Sequence, residues 1–211
     1  MTKAYIFDFD GTLVDSMGYY ADGMLEILKE NGIAYPEDII NIITPLGTLE
    51  TARLFAEMGI KGTTEDIIAR MGRKMVQLYS ECIKAKPFVA EYLEQLSNKE
   101  KRLFVLTASP HITVDVCLKN NGLYDLFEEI WSTDDFPGLT KSDLKLFFEA
   151  AKRIGCNMDE VEYFDDNIIA LQNASRAGFN TVGVYDEHYE VPMERVKAIS
   201  EKYIMSFKEM L

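Results

Sequence analysis

Short apolar segments alternate with helical patterns along most of this chain, and one long stretch breaks the alternation. The apolar segments lie at 4–7, 103–107, 129–131, 161–164 and 181–184, each rich in aliphatic, β-branched or aromatic residues. Such runs suit strands buried on both faces. Helical patterns lie between them at 87–97, 110–121, 142–154 and 167–177. Pro87 suits a first helical position and Ser109 suits an N-cap, while Gly122, Gly155 and Gly178 stand just past three helix ends. Strand and helix in turn predict a parallel sheet covered on both faces, the doubly wound, Rossmann-like α/β class.

Residues 16–85 carry only helical patterns. Met17, Tyr20, Met24, Ile27 and Leu28 fall on one face of a first helix, which Gly32 ends. Pro36 opens a second helix, Thr48 can cap a third that stops near Gly59, and Thr63 with Asp66 has the spacing of a capping box for a fourth. That much helix exceeds what a crossover needs. It predicts an α-helical cap domain at 16–85, inserted after the first strand of a catalytic core formed by 1–15 and 86–211.

The 211 residues suit one large domain with a modest insert. No apolar run approaches the roughly 18 residues that a membrane helix requires. Met1-Thr2-Lys3 leads straight into the first strand with no secretory pattern, so the cytoplasm is the expected location. Cys82, Cys117 and Cys156 are scattered and odd in number, which predicts reduced, mostly buried thiols. A net charge of −13 argues against a nucleic-acid polymer or an anionic membrane as partner. An anionic substrate would need a metal ion, a lysine and backbone N–H groups to supply local positive charge. A monomer or weak homodimer is expected.

Ligands of parallel sheets bind outside the carboxyl ends of the strands. The first strand ends in Asp8-Phe9-Asp10-Gly11-Thr12, the second in Thr107-Ala108-Ser109, and another in Asp165-Asp166, with Lys141 in the loop before a helix. In this order and spacing they resemble the four motifs of the haloacid dehalogenase superfamily: D-x-D-G-T, a strand-end Ser/Thr, a lysine and an acidic pair. The likeness spans essentially the whole chain. The insert resembles the helical cap of the phosphoglycolate phosphatase and β-phosphoglucomutase branch.

The resemblance implies a Mg²⁺-dependent hydrolase of a small phosphorylated metabolite. Asp8 would attack phosphorus and form an aspartyl-phosphate, and Asp10 would serve as general acid and then base. Asp8, Asp166 and the Asp10 carbonyl would hold the metal, with Asp165 just outside that shell. Gly11, Thr107, Ala108 and Lys141 would bind the phosphoryl group. Tyr20 stands ten residues after Asp10, where the mutase branch has histidine, which disfavours a phosphosugar mutase. Asp10 has no role in dehalogenation, and Ala170 leaves the acidic pair without a further acid four residues beyond Asp166. A non-catalytic metabolite-binding protein is the remaining alternative.

Other polar residues read as structural. His111 and His188 suit the surface or helix caps, and Asp134 and Asp135 suit a loop. Tyr19, Tyr20, Gly47, Arg53 and Lys74 are candidates for choosing the leaving group, and closure of the cap is expected to exclude water.

Overall fold

The structure is a computed structural model that describes residues 2–43, 46–188 and 192–211. Six strands form its sheet: β1 (Ala4–Phe7), β2 (Arg102–Thr107), β3 (Glu129–Ser132), β4 (Val161–Asp165), β5 (Asn180–Val184) and β6 (Lys202–Ile204). Every pairing is parallel, and the order is β3-β2-β1-β4-β5-β6. The chain therefore starts mid-sheet, winds outward through β2 to β3, then returns to the other side of β1. This is the doubly wound topology expected.

The helices are α1 (Met17–Glu30), α2 (Ile39–Ile43), α3 (Thr48–Glu57), α4 (Thr64–Glu81), α5 (Val89–Asn98), α6 (His111–Asn120), α7 (Leu144–Ile154), α8 (Ile168–Ala177) and α9 (Met193–Ile199). The chain divides into a sheet unit, Met1–Asp15 with Lys84–Leu211, and a helical unit, Ser16–Ile83.

In the sheet unit the two faces of β1 serve two half-cores, as side-chain alternation requires. Ala4 and Ile6 join a cluster with Phe147 and Ala150 of α7 and Leu171 and Ala174 of α8. Phe7 faces the other way. Its ring stacks on Phe164 at 4.6 Å and meets Tyr92 of α5 and Phe207 edge-on or tilted at 6.4 Å. Burying a side chain of this size contributes about 1.5–3 kcal/mol. These two layers hold β1 and β4 in register, which places their polar ends side by side.

The helical unit has its own core, which includes Met24, Ile27, Leu28, Phe55, Ile67 and Met71. Met17, expected on that face, is exposed instead. Thr63 and Asp66 form the reciprocal capping box at the start of α4. Lys74 pairs with Glu26 and Glu30 inside this unit.

The chain leaves the sheet unit and returns to it along one short antiparallel ladder. Val14 bridges Ala85, Asp15 N donates to Lys84 O at 3.0 Å, and Lys86 N donates to Leu13 O at 2.9 Å. Lys84 and Ala85 thus fall in the sheet unit, two residues before the boundary expected from the sequence.

Several element starts differ from expectation. Helix α2 begins at Ile39, because residues after Pro36 form a turn first. Gly47 rather than Thr48 is the N-cap of α3. Phe88 precedes α5 with φ 68°, so that helix starts two residues after Pro87. Pro110 is the N-cap of α6, and Ser109 turns elsewhere. Cys82 is exposed, against the expectation of burial, whereas Cys117 is buried. Met1 lies outside the described residues. Among those residues no helix is long and apolar enough to cross a membrane.

Candidate active site

Neighbouring strands β1 and β4 carry the chain in opposite winding directions, and a crevice opens at such a switch point. Asp8 stands there at the end of β1, its N–H donating to Phe164 O at 2.8 Å. Asp165 ends β4 and Asp166 follows it. All three carboxylates are buried, and each offers an oxygen within 4.8 Å of the others. Three such groups repel one another, so the arrangement depends on what surrounds them.

Lys141 supplies the counter-charge. Its ammonium donates to Asp8 Oδ1 and, at 2.9 Å, to Asp165 Oδ2. Asn173 Nδ2 steadies it by donating to the Lys141 carbonyl at 3.2 Å. Asp165 has protein donors on both oxygens: Oδ2 also accepts from the Tyr163 hydroxyl, and Oδ1 accepts from Asn167 N at 2.7 Å. Such a carboxylate acts by holding Lys141 in place. Asp166 Oδ1 accepts from Thr12 Oγ1 at 3.2 Å.

Gly11 makes the close approach possible. Its φ is +73°, and a Cβ there would stand 2.9 Å from Asp166 Oδ2. Its N–H donates to Val14 O at 3.0 Å. Because peptides are trans here, the Asp10 carbonyl, across the same peptide, points the opposite way, away from Val14. The Asp10 side chain takes a different route: Oδ2 accepts from Ser109 Oγ. Ser109, read as a helix cap from sequence, is thus a partner of Asp10. Thr107 is buried, and its Oγ1 accepts from Ser109 N at 3.0 Å. A hydroxyl used in this way still has its own proton to donate. Ala108 is exposed just beyond and offers a backbone N–H.

Burial pushes the Asp8 carboxyl well above its ordinary range, Lys141 opposes that, and Asp165 and Asp166 add to it. Asp166 is pushed up to about 7, by burial first and by Asp165 next. Burial acts to lower the Lys141 pKa, but Asp165 and Asp8 outweigh it and leave it raised. Burial, with Asp165 beside it, likewise raises Tyr163, which stays protonated and donates. Excess negative charge on oxygen donors suits a hard divalent cation. The Asp8 and Asp166 carboxylates are hard oxygen donors of the kind Mg²⁺ takes.

Two other polar groups have partners of their own. Asp135 accepts from Ser132 N and bonds His111, and His188 lies beside Glu187. Sequence reasoning missed Tyr163, although it sits two residues before Asp165 on the same face of β4. It also missed Lys86, whose ammonium reaches Gly11 O, Tyr185 O and Asp186 Oδ2.

A family model described as haloacid dehalogenase-like hydrolase matches residues 5–184. The chain belongs to the haloacid dehalogenase-like hydrolases. YhcW of Bacillus subtilis strain 168 is 30% identical over 186 residues, 86% of this chain and 83% of that one. The phosphorylated carbohydrates phosphatase of Thermotoga maritima is 25% identical over 181 residues, 85% of this chain and 83% of its own length. The phosphoglycolate phosphatase of Psychrobacter arcticus is 26% identical over 192 residues, 85% of this chain and 81% of its own. In the crystal structure of CbbY from Rhodobacter sphaeroides with xylulose-(1,5)bisphosphate, 20% identical, the same fold recurs with a TM-score of 0.75 over 99% of this chain and 96% of that one. The fold of this haloacid dehalogenase-like hydrolase is thus shared with solved structures, and curated relatives it matches are named as phosphatases.

Proposed function

We propose that this chain is a Mg²⁺-dependent phosphatase that hydrolyses a small phosphate monoester through an aspartyl-phosphate on Asp8, with Asp10 as general acid and base. The observation that carries the reading is the buried Asp8–Lys141–Asp165 network beside Asp166.

Asp8 is the nucleophile in this reading. An Asp8 carboxylate oxygen bonds to phosphorus as the bond from phosphorus to the leaving alcohol breaks, and Asp10 gives that alcohol its proton. Water then loses a proton to Asp10 and attacks the same phosphorus, which releases phosphate and restores Asp8. Asp10 is partly exposed and bonded by Ser109, so it can exchange protons between the two steps. Lys141 opposes the burial that raises the Asp8 carboxyl and offsets phosphoryl charge. The Thr107 hydroxyl and the backbone N–H groups around Gly11 and Ala108 would bind the phosphoryl oxygens.

Asp8, Asp166 and the Asp10 carbonyl would hold Mg²⁺. The ion supplies positive charge that screens an anionic nucleophile from an anionic ester. Asp165 would stay outside the metal shell, because its oxygens already accept from Lys141, Tyr163 and Asn167. The names of the relatives favour a small phosphorylated metabolite, such as a phosphorylated carbohydrate or phosphoglycolate, as substrate.

Phosphate release from a panel of monoesters, measured with Mg²⁺ and with chelator, tests the reading. Metal-dependent release from a few related compounds, abolished in Asp8→Asn, is the expected result. Release undiminished by chelator, or retained in Asp8→Asn, would overturn it.

A further inference from the structure

We propose that the Lys86–Asp186 ion pair is a positioning device that sets the Asp8–Thr12 turn and, through it, the metal site. This rests on the phosphatase reading above, since the groups it orders are the ones assigned there to Mg²⁺.

The ammonium of Lys86 has three donors, and three acceptors meet it: Gly11 O, Tyr185 O at 2.9 Å and Asp186 Oδ2 at 2.7 Å. The Lys86 side chain is 14% exposed and that of Asp186 only 1%. Asp186 is itself fixed, its Oδ1 accepting from His188 N at 2.9 Å. One cation therefore ties together three segments distant in sequence: the turn after β1, the return strand at 84–86 and the loop after β5.

A buried ion pair seldom adds net stability over apolar residues of like size, because desolvation consumes most of the attraction. Its distinguishing effect is directional. Here it acts on a single peptide group. The Gly11 N–H is held by Val14 O and the Gly11 C=O by Lys86. With both peptide planes of Gly11 fixed, the Asp10 carbonyl and the Thr12 N–H, which lie across those planes, are aimed as well. Thr12 in turn donates its hydroxyl to Asp166. Lys86 thus holds the Gly11–Thr12 peptide, next to the peptide that carries the Asp10 carbonyl, and bears on Asp166 through the Thr12 hydroxyl. A glycine at φ +73° has no side chain to hold its own conformation, so an outside tether has something to do at this residue.

The test compares the parent with Lys86→Met, which keeps the aliphatic stem, and with Asp186→Asn, which keeps the shape. Mg²⁺ affinity is measured by calorimetry on the folded protein, and kcat and KM at saturating Mg²⁺. Lys86→Met is expected to weaken Mg²⁺ about 10-fold or more and to lower kcat about 10–100-fold, the usual range for groups behind a metal site, with KM nearly unchanged. Asp186→Asn is expected to shift both quantities in the same direction by less. A merely structural role would lower the melting temperature and leave the Mg²⁺ affinity of the folded fraction at the parent value. That result in either variant would overturn the proposal, and Asp186→Asn keeps the test decisive if Lys86→Met does not fold. Failure of the parent to release phosphate would instead overturn the phosphatase reading, while the calorimetry would still decide the role of the pair.

Discussion

A methyl group on Gly11 would stand 2.9 Å from Asp166 Oδ2, and the same residue has a left-handed φ. Gly11→Ala therefore meets two penalties at once: about 1–2 kcal/mol for the conformation, and displacement of a carboxylate assigned to the metal. Activity is expected to fall about 10–100-fold and the half-saturating Mg²⁺ concentration to rise; titration of phosphate release against Mg²⁺ measures both. Asp166 also makes a pH prediction. Its carboxyl is raised from 3.8 to about 7 in the fold, by burial and then by Asp165. The folded form holds this proton more tightly than the unfolded one. The resulting stabilisation of the metal-free protein is fully present below about pH 3.8 and is lost as pH rises through about 7. Asp166→Asn removes the dependence, so metal-free Asp166→Asn should gain stability relative to the parent between pH 4 and pH 8. Denaturant unfolding across that range checks it, and a constant difference would reject the assignment.

The elements show where local pattern carries information and where it does not. Strands β1 to β5 are legible from short runs rich in aliphatic, β-branched or aromatic residues, α6 to α8 from apolar stripes with glycine just past their ends, and α5 from its apolar stripe alone. Strand β6 was not: it is three residues, Lys-Tyr-Ile, of which only Ile204 is buried. Phe88 at φ 68° was equally hidden, since nothing local marks a bulky residue for that region. The site divides in the same way. Asp8, Asp10, Gly11, Thr107 and the acidic pair stand at or just past strand ends, where the sheet itself converts sequence order into proximity, and Lys141 stands in the loop before α7. Lys86 and Ser109 meet their partners 75 to 100 residues away through side-chain reach alone, which no spacing encodes. Two element-scale outcomes follow. Phe7→Ala removes the ring that stacks on Phe164 of β4 and meets Tyr92 of α5 edge-on, and should cost about 3–5 kcal/mol in unfolding free energy. Thr63→Ala breaks the capping box of α4 and should cost about 1 kcal/mol. Amide hydrogen exchange is expected to show that second loss within the first turns of α4 and not in the sheet.

For the whole molecule the net charge of −13 sets a condition on catalysis. On the phosphatase reading, a phosphate ester approaches a surface of its own sign and meets opposite charge at Lys141. Raising ionic strength from about 0.01 M to about 0.1 M shortens the screening length to about 10 Å. The value of kcat/KM at fixed Mg²⁺ activity should therefore rise over that range, and a fall would mean that attraction near the site outweighs the surface field.

The ladder that joins Val14 to Ala85 has a meaning for how such a chain can be rebuilt. Two strands running antiparallel through 13–15 and 84–86 are the stem of a hairpin, and Ser16–Ile83 occupies the place of its turn. A hairpin tolerates loops of very different length, since each doubling of length adds only about 0.6 kcal/mol of closure cost. The gene can thus acquire, enlarge or exchange the helical segment at one point while the sheet keeps its register. Replacing Ser16–Ile83 by a two-residue Asn-Gly turn should leave a protein that folds around β1–β6. The stem has made the helical unit a cassette.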